Sequence, residues 1–145
     1  MGPSSFYVSI VHGTPESATA NTVRRQAGAD MAKLLSPEEV TTILQSGDFN
    51  ALLRAMEDHQ LECKNSPYRL DEESEKFELA KDVSAMANVS GGVVLIGVRT
   101  RKDATLSADV VCSVSPFEES QTNIKQYLDV LREWCYPPLN TVDIR

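Results

Sequence analysis

At 145 residues, with 41% hydrophobic and 24% charged side chains, the chain is sized for one domain with a substantial core and fits neither a disordered nor a membrane-spanning polypeptide. A formal net charge of −7 excludes indiscriminate binding to phosphate backbones, which needs an excess of Lys and Arg, and leaves only local basic patches at Arg24-Arg25 and Arg99-Thr-Arg-Lys102. The opening residues lack the basic segment and apolar stretch of a secretory signal, and no run nears the roughly 18 apolar residues of a membrane span, so a cytoplasmic protein is expected.

Residues 1–34 hold one strand-like run, Phe6-Tyr-Val-Ser-Ile-Val11, and then a Gly, Thr, Ser and Ala-rich stretch without a sustained period. This part reads as a flexible arm or linker, and its short run either packs loosely with the arm or adds an edge strand, to this chain or to a partner. From residue 35 to 145 the chain reads as the domain proper, with a helical cap over 36–57 and a core over 58–145.

Ser36-Pro-Glu-Glu39 is a helix start: Ser36 caps, Pro37 suits the first turn and Glu39 completes a capping box. Gly47 ends that helix, and Asp48 starts a second in which Phe49, Leu52, Leu53 and Met56 share a face. Residues 37–57 therefore predict a helical hairpin. Gln60-Leu-Glu-Cys-Lys64 is a short strand whose alternation puts Leu61 and Cys63 on one face and Gln60, Glu62 and Lys64 on the other.

A polar connection over 65–74 leads to a helix in which Phe77, Ala80, Val83 and Ala87, with Leu79 and Met86 beside them, form an apolar stripe. Lys81 and Asp82 fall on the solvated side of that helix, and Glu78 with Lys81 makes a pair one turn apart. Asn88-Val-Ser-Gly-Gly stops the helix, and Val93-Val-Leu-Ile-Gly-Val98 has the uncharged, β-branched composition of a strand covered on both faces. Next come a charged loop over 99–105 and a strand over Ala108–Val114, together a hairpin. From Glu118 to Cys135, Ile124, Tyr127, Leu128, Leu131 and Trp134 repeat at helical spacing. Asn140–Arg145 begins another strand, and a strand flush with the terminus suggests a sheet cut short.

Cys63, Cys112 and Cys135 are odd in number, widely spaced and without a Cys-x-x-Cys pair, so neither a zinc site nor a disulfide framework is indicated. Cys63 and Cys112 read as small buried hydrophobes. Of the two histidines, His59 lies beside Glu57, Asp58 and Glu62, where a general base is conceivable, while His12 has no ligand-like neighbour. Trp134 reads as packed core; Tyr68 reads as an exposed aromatic or a packed loop anchor. The turn at Gly91-Gly92 matches neither a Walker loop nor a Gly-x-Gly-x-x-Gly fingerprint.

The chemical signal is Glu62 and Lys64 on one face of a strand, with Glu57 five residues before Glu62. A carboxylate there can hold a divalent cation while the ammonium stabilises developing charge on a phosphodiester. Polar alternation on a half-exposed strand produces the same pattern without chemistry. Taken with Glu78-Leu-Ala-Lys-Asp-Val-Ser-Ala-Met-Ala-Asn-Val-Ser-Gly-Gly-Val-Val-Leu-Ile-Gly-Val98, however, the Glu-x-Lys strand closely resembles the Schlafen AlbA-like DNA-binding domain family over residues 57–98, with Pro137-Pro138 similar to its later region.

That resemblance implies an α+β fold, an AlbA-like mixed sheet flanked by helices, here truncated at the C-terminus and preceded by the helical hairpin. It implies nucleic-acid binding in a regulatory or defence setting, to DNA or RNA, with Lys64, Arg99, Arg101 and Lys102 as phosphate contacts. In the Schlafen branch it also implies RNA cleavage by a carboxylate triad with Mg or Mn. Two acids map onto Glu57 and Glu62, with Lys64 beside them as catalytic candidates. The third position carries Arg99-Thr100, and Asp103 lies further along as a substitute metal ligand. Cys63 stands where the family has Phe. A nucleotide-sensing, ATP-binding or protein-interaction module is the alternative from another class, with an open strand edge offered to a second copy or a further domain.

Overall fold

The computed structural model describes residues 6–10, 31–87, 91–118, 122–136, 139 and 142–144. His12, Arg24, Arg25, Asn88, Ser90, Pro137 and Pro138 lie outside the described residues. The elements in chain order are β1 (Phe6–Ile10), α1 (Pro37–Ser46), a single 3₁₀ turn (Phe49–Leu52), β2 (Leu61–Lys64), α2 (Glu73–Ala87), β3 (Gly92–Ile96), β4 (Val98–Asp103), β5 (Ala108–Val114), α3 (Ile124–Trp134) and β6 (Val142–Ile144). Among the described residues this is an α+β fold with a parallel sheet, an antiparallel hairpin and three α-helices.

The parallel sheet runs β2-β3-β1-β6. Strand β3 pairs with β2 from Leu61↔Val93 to Lys64↔Ile96 and with β1 from Phe6↔Gly92 to Ile10↔Ile96. Its uninterrupted apolar run suits a strand buried on both faces: Val94 and Ile96 enter one core, Val93 and Leu95 the other. The run expected at an edge, β1, lies instead between β3 and β6. Its partners are more than eighty residues away in sequence, and local composition carries no information about which side of a strand is filled.

The first core joins Val8, Val94 and Ile96 to Leu79, Ala80, Val83 and Met86 of α2 and to Tyr127, Val130 and Leu131 of α3. Phe77, expected on the buried stripe, is 57% exposed. The buried face of α3 is also rotated from the expected one: Val130 and Cys135 are inside, whereas Ile124 and Trp134 each keep 36% exposure at the ends of the helix. Asn123 caps α3 by accepting from the Gln126 amide at 3.2 Å.

The second core covers the opposite face with Val40 of α1, Phe49, Leu52, Ala55, Leu61, Cys63, Val98 and Val111. Helix α1 starts as its sequence dictates, with Ser36 Oγ accepting from Glu39 N at 3.2 Å, and stops at Gly47, where φ is +77°. The second arm of the expected helical hairpin is only the 3₁₀ turn. Beyond it Arg54 takes a positive φ of 68°, and the chain becomes extended. Backbone pairing explains the change: Arg54 N donates to Val111 O and Val111 N to Ala55 O, both at 2.8 Å, while Lys33 N and O close on Arg54 O and Met56 N from the other side. A short helix there would leave these groups unpaired.

Gly97, at φ +109°, bends the chain out of the parallel sheet, and its N–H donates to Lys64 O at 2.8 Å. The residues read as a charged loop, Arg99 onward, then form strand β4, antiparallel to β5. The register passes from Arg99↔Ser113 to Thr100↔Val111, a β-bulge at Cys112 that leaves this residue half-exposed rather than buried. Cys63 and Cys135 are buried, and all three thiols are free. Among the described residues no helix is long and apolar enough to cross a membrane.

Candidate nucleic-acid interface and the acidic strand edge

Period-two alternation on β2 sends Leu61 and Cys63 into the second core, so Glu62 and Lys64 face the α2 side. There Lys64 Nζ lies 3.4 Å from Asp82 Oδ2 and 5.3 Å from the centre of the Tyr68 ring. The Tyr68 hydroxyl donates to the same Asp82 oxygen at 2.7 Å, and Tyr68 N–H donates to the Tyr127 hydroxyl at 3.1 Å. The two tyrosine rings meet edge to face with centroids 6.2 Å apart. Burial, and then Asp82, push the Tyr68 hydroxyl well above the ordinary phenol range.

Tyr68 is thus a packed anchor. Asp82, placed by sequence on a solvated helix face, has a side chain only 11% exposed. The missed signal is the loop over 65–72, which folds back over α2. A helical wheel records where apolar residues fall, and says nothing of what a loop lays across the polar side. Glu62 is held above the usual carboxylate range by burial and next by Asp82, against the pull of Lys64 and Lys81.

Glu57 is held from two directions. Its backbone N–H donates to Asp109 O of β5 at 2.9 Å, and its Oε1 accepts from Cys63 N at 2.8 Å. On β2 the carbonyls of Gln60 and Lys64 pair toward the β3 side, with Val93 N and Gly97 N, so the intervening Cys63 amide points outward from the sheet. The Glu57 carboxylate closes that edge and ties the hairpin to the parallel sheet. Burial is the main reason its acid is pushed up to about 7; the Cys63 bond opposes this, Glu62 and Asp109 add to it, and Lys64 opposes it.

Asp103 is placed apart from these acids. It pairs with Arg54 Nη2 at 3.1 Å and caps the hairpin turn by accepting from Thr105 N at 2.9 Å and Leu106 N at 3.2 Å. Hydrogen bonds from Thr105 and then Arg54 bring its carboxyl down to about 2. Among the candidate metal ligands, the structure therefore brings Glu57 and Glu62 into one neighbourhood and leaves Asp103 out; the acid that acts on both is Asp109.

Among the described residues no three His, Cys, Asp or Glu side chains form a group able to hold a metal ion. One oxygen of Glu57 is already engaged by a main-chain amide, and Asp103, the third candidate, is committed to Arg54 and the hairpin turn, so this donor set does not fit Mg or Mn as placed. His59 is exposed.

The cations of β4 contrast with Arg54 and Lys64. Arg99, Arg101 and Lys102 are exposed, and among the described residues none forms an ion pair, whereas Arg54 and Lys64 are tied to Asp103 and Asp82. Arg99 and Arg101 alternate with Val98 and Thr100, so they share the strand face turned away from the second core. At the carboxyl end of β2 lies a groove of about 810 Å³ between the 64–71 segment, α2 and α3, lined in part by Lys64, Arg69, Glu75 and Phe117.

A sheet with a Glu-x-Lys strand, a helix leading into Gly-Gly and a doubly buried strand, followed by a hairpin bearing exposed cations, defines an α+β domain. Residues 57–144, well over half of the chain, match the family model described as Schlafen, AlbA_2, and the chain belongs to that family. No curated protein and no solved structure matches it significantly.

Proposed function

We propose that this domain binds nucleic acid through β4, with Arg99, Arg101 and Lys102 contacting phosphates. The observation that supports this reading is three exposed cations on one strand, outside any ion pair among the described residues, in a chain of net charge −7. An acidic molecule is repelled by phosphate over most of its surface, so a concentrated basic strand both attracts and orients the ligand. Backbone contacts of this sort give affinity and register without base readout.

The test is the paired substitution Arg101→Glu with Lys102→Glu, both at exposed positions. Binding measured by fluorescence anisotropy on labelled duplex DNA, and in parallel on RNA, is expected to weaken by one to two orders of magnitude at low salt. The slope of log affinity against log salt should become shallower by up to about 1.8 for two lost duplex phosphate contacts. A variant that keeps the parent slope removes β4 from the interface.

A further inference from the structure

Lys64 lines the groove at the carboxyl end of β2, and its side chain keeps 30% exposure, so by position alone it would count as a fourth phosphate contact. Its surroundings say otherwise. The ammonium stands 3.4 Å from Asp82 and over the Tyr68 ring, and Asp82 is fixed in turn by the Tyr68 hydroxyl, which belongs to a residue anchored on Tyr127. Glu62 places a second carboxylate on the same strand face. Lys81, the neighbouring cation, is paired with Glu78, so Lys64 sits among acids on a face that stays net negative.

We propose that Asp82 is an internal stand-in for phosphate that withholds Lys64 from nucleic acid and so confines the binding footprint to β4. This rests on the nucleic-acid reading above and decides which cations belong to that site. To reach a ligand phosphate, Lys64 must leave a carboxylate that is 11% exposed and fastened by a second donor, stranding that charge without its partner. Arg99, Arg101 and Lys102 have no such bond to break among the described residues.

Asp82→Asn tests this, because the amide oxygen still accepts from Tyr68 while the charge disappears. The variant should bind duplex DNA several-fold more tightly than the parent, with a salt slope steeper by about 0.9, the value of one added phosphate contact. Lys64→Ala in the parent should leave affinity and slope unchanged, and combining it with Asp82→Asn should abolish the gain in slope. A shallower slope for Lys64→Ala alone overturns the proposal, since Lys64 would then already be in use. A second readout does not depend on binding: the rate of Lys64 acetylation by acetic anhydride, followed by mass spectrometry with Lys102 as internal reference. Asp82→Asn should raise it several-fold, and an unchanged ratio in a folded variant also overturns the proposal. If the parent binds no nucleic acid at all, the proposed function fails, and acetylation still decides whether Asp82 holds Lys64.

Discussion

Gly92→Ala is expected to destabilise the domain by about 1–3 kcal/mol, the range for forcing a methyl into a packed site. Gly92 opens β3, the strand around which both cores are assembled. A Cβ there would meet Gln60 O at 2.7 Å and Met86 Sδ at 2.9 Å. The thioether can turn aside, since Met is the most adaptable of core side chains. The carbonyl cannot, because it accepts from Val93 N at 2.8 Å and so forms the first rung between β2 and β3. Relieving the clash means lifting β2, and with it Glu62 and Lys64, off the sheet. Urea unfolding measures the loss; a midpoint equal to the parent's would show that the rung moves at no cost.

The second large effect concerns Glu57. Glu57→Ala removes the acceptor for the Cys63 amide at the edge of β2, and leaving that part-buried donor unsatisfied costs about 1–3 kcal/mol. Glu57→Gln keeps an oxygen in place and separates the hydrogen bond from the charge. In the folded protein the acid titrates near 7, against 4.5 for the unperturbed group, so between these values the folded state holds the extra proton. Stability from this group is therefore fully present below about pH 4.5 and declines as pH rises through 7. Glu62, raised for similar reasons, tilts stability the same way. Gln does not titrate. Thermal unfolding of Glu57→Gln should thus gain on the parent steadily from pH 5 to pH 8 and hold its margin above that. Parallel curves across this range would mean that Glu57 is not held near neutrality, and an equal loss for Ala and Gln would mean that the Cys63 bond carries no weight.

Both effects come from positions whose residue types are plain in the sequence and whose partners are not. Glu57, Glu62 and Lys64 stand out as a candidate site, and Glu57 and Glu62 do share a neighbourhood. What Glu57 does there is set by Cys63 N and Asp109, six and fifty-two residues away in the chain. Asp103 looks like a spare ligand on a loop until the strand pairing of β4 with β5 turns it toward Arg54. Asp82 looks solvated until the loop carrying Tyr68 is laid over it.

By itself, the sequence determined whatever depends on neighbours a few residues apart. The Ser36 cap and Gly47 stop of α1, the alternation of β2, the apolar face of α2 and the double burial of β3 follow from helix and strand periods acting locally. The family resemblance belongs here too, because it is carried by the contiguous helix, Gly-Gly and strand. Tertiary structure alone decided the inner position of β1, the replacement of a helix by the extended 54–57 segment, and the partners of Glu57, Lys64, Asp82 and Asp103. The physical reason is the same in each case. A backbone edge or a buried charge must find a partner, the partner comes from wherever the chain returns, and local composition contains no record of that return.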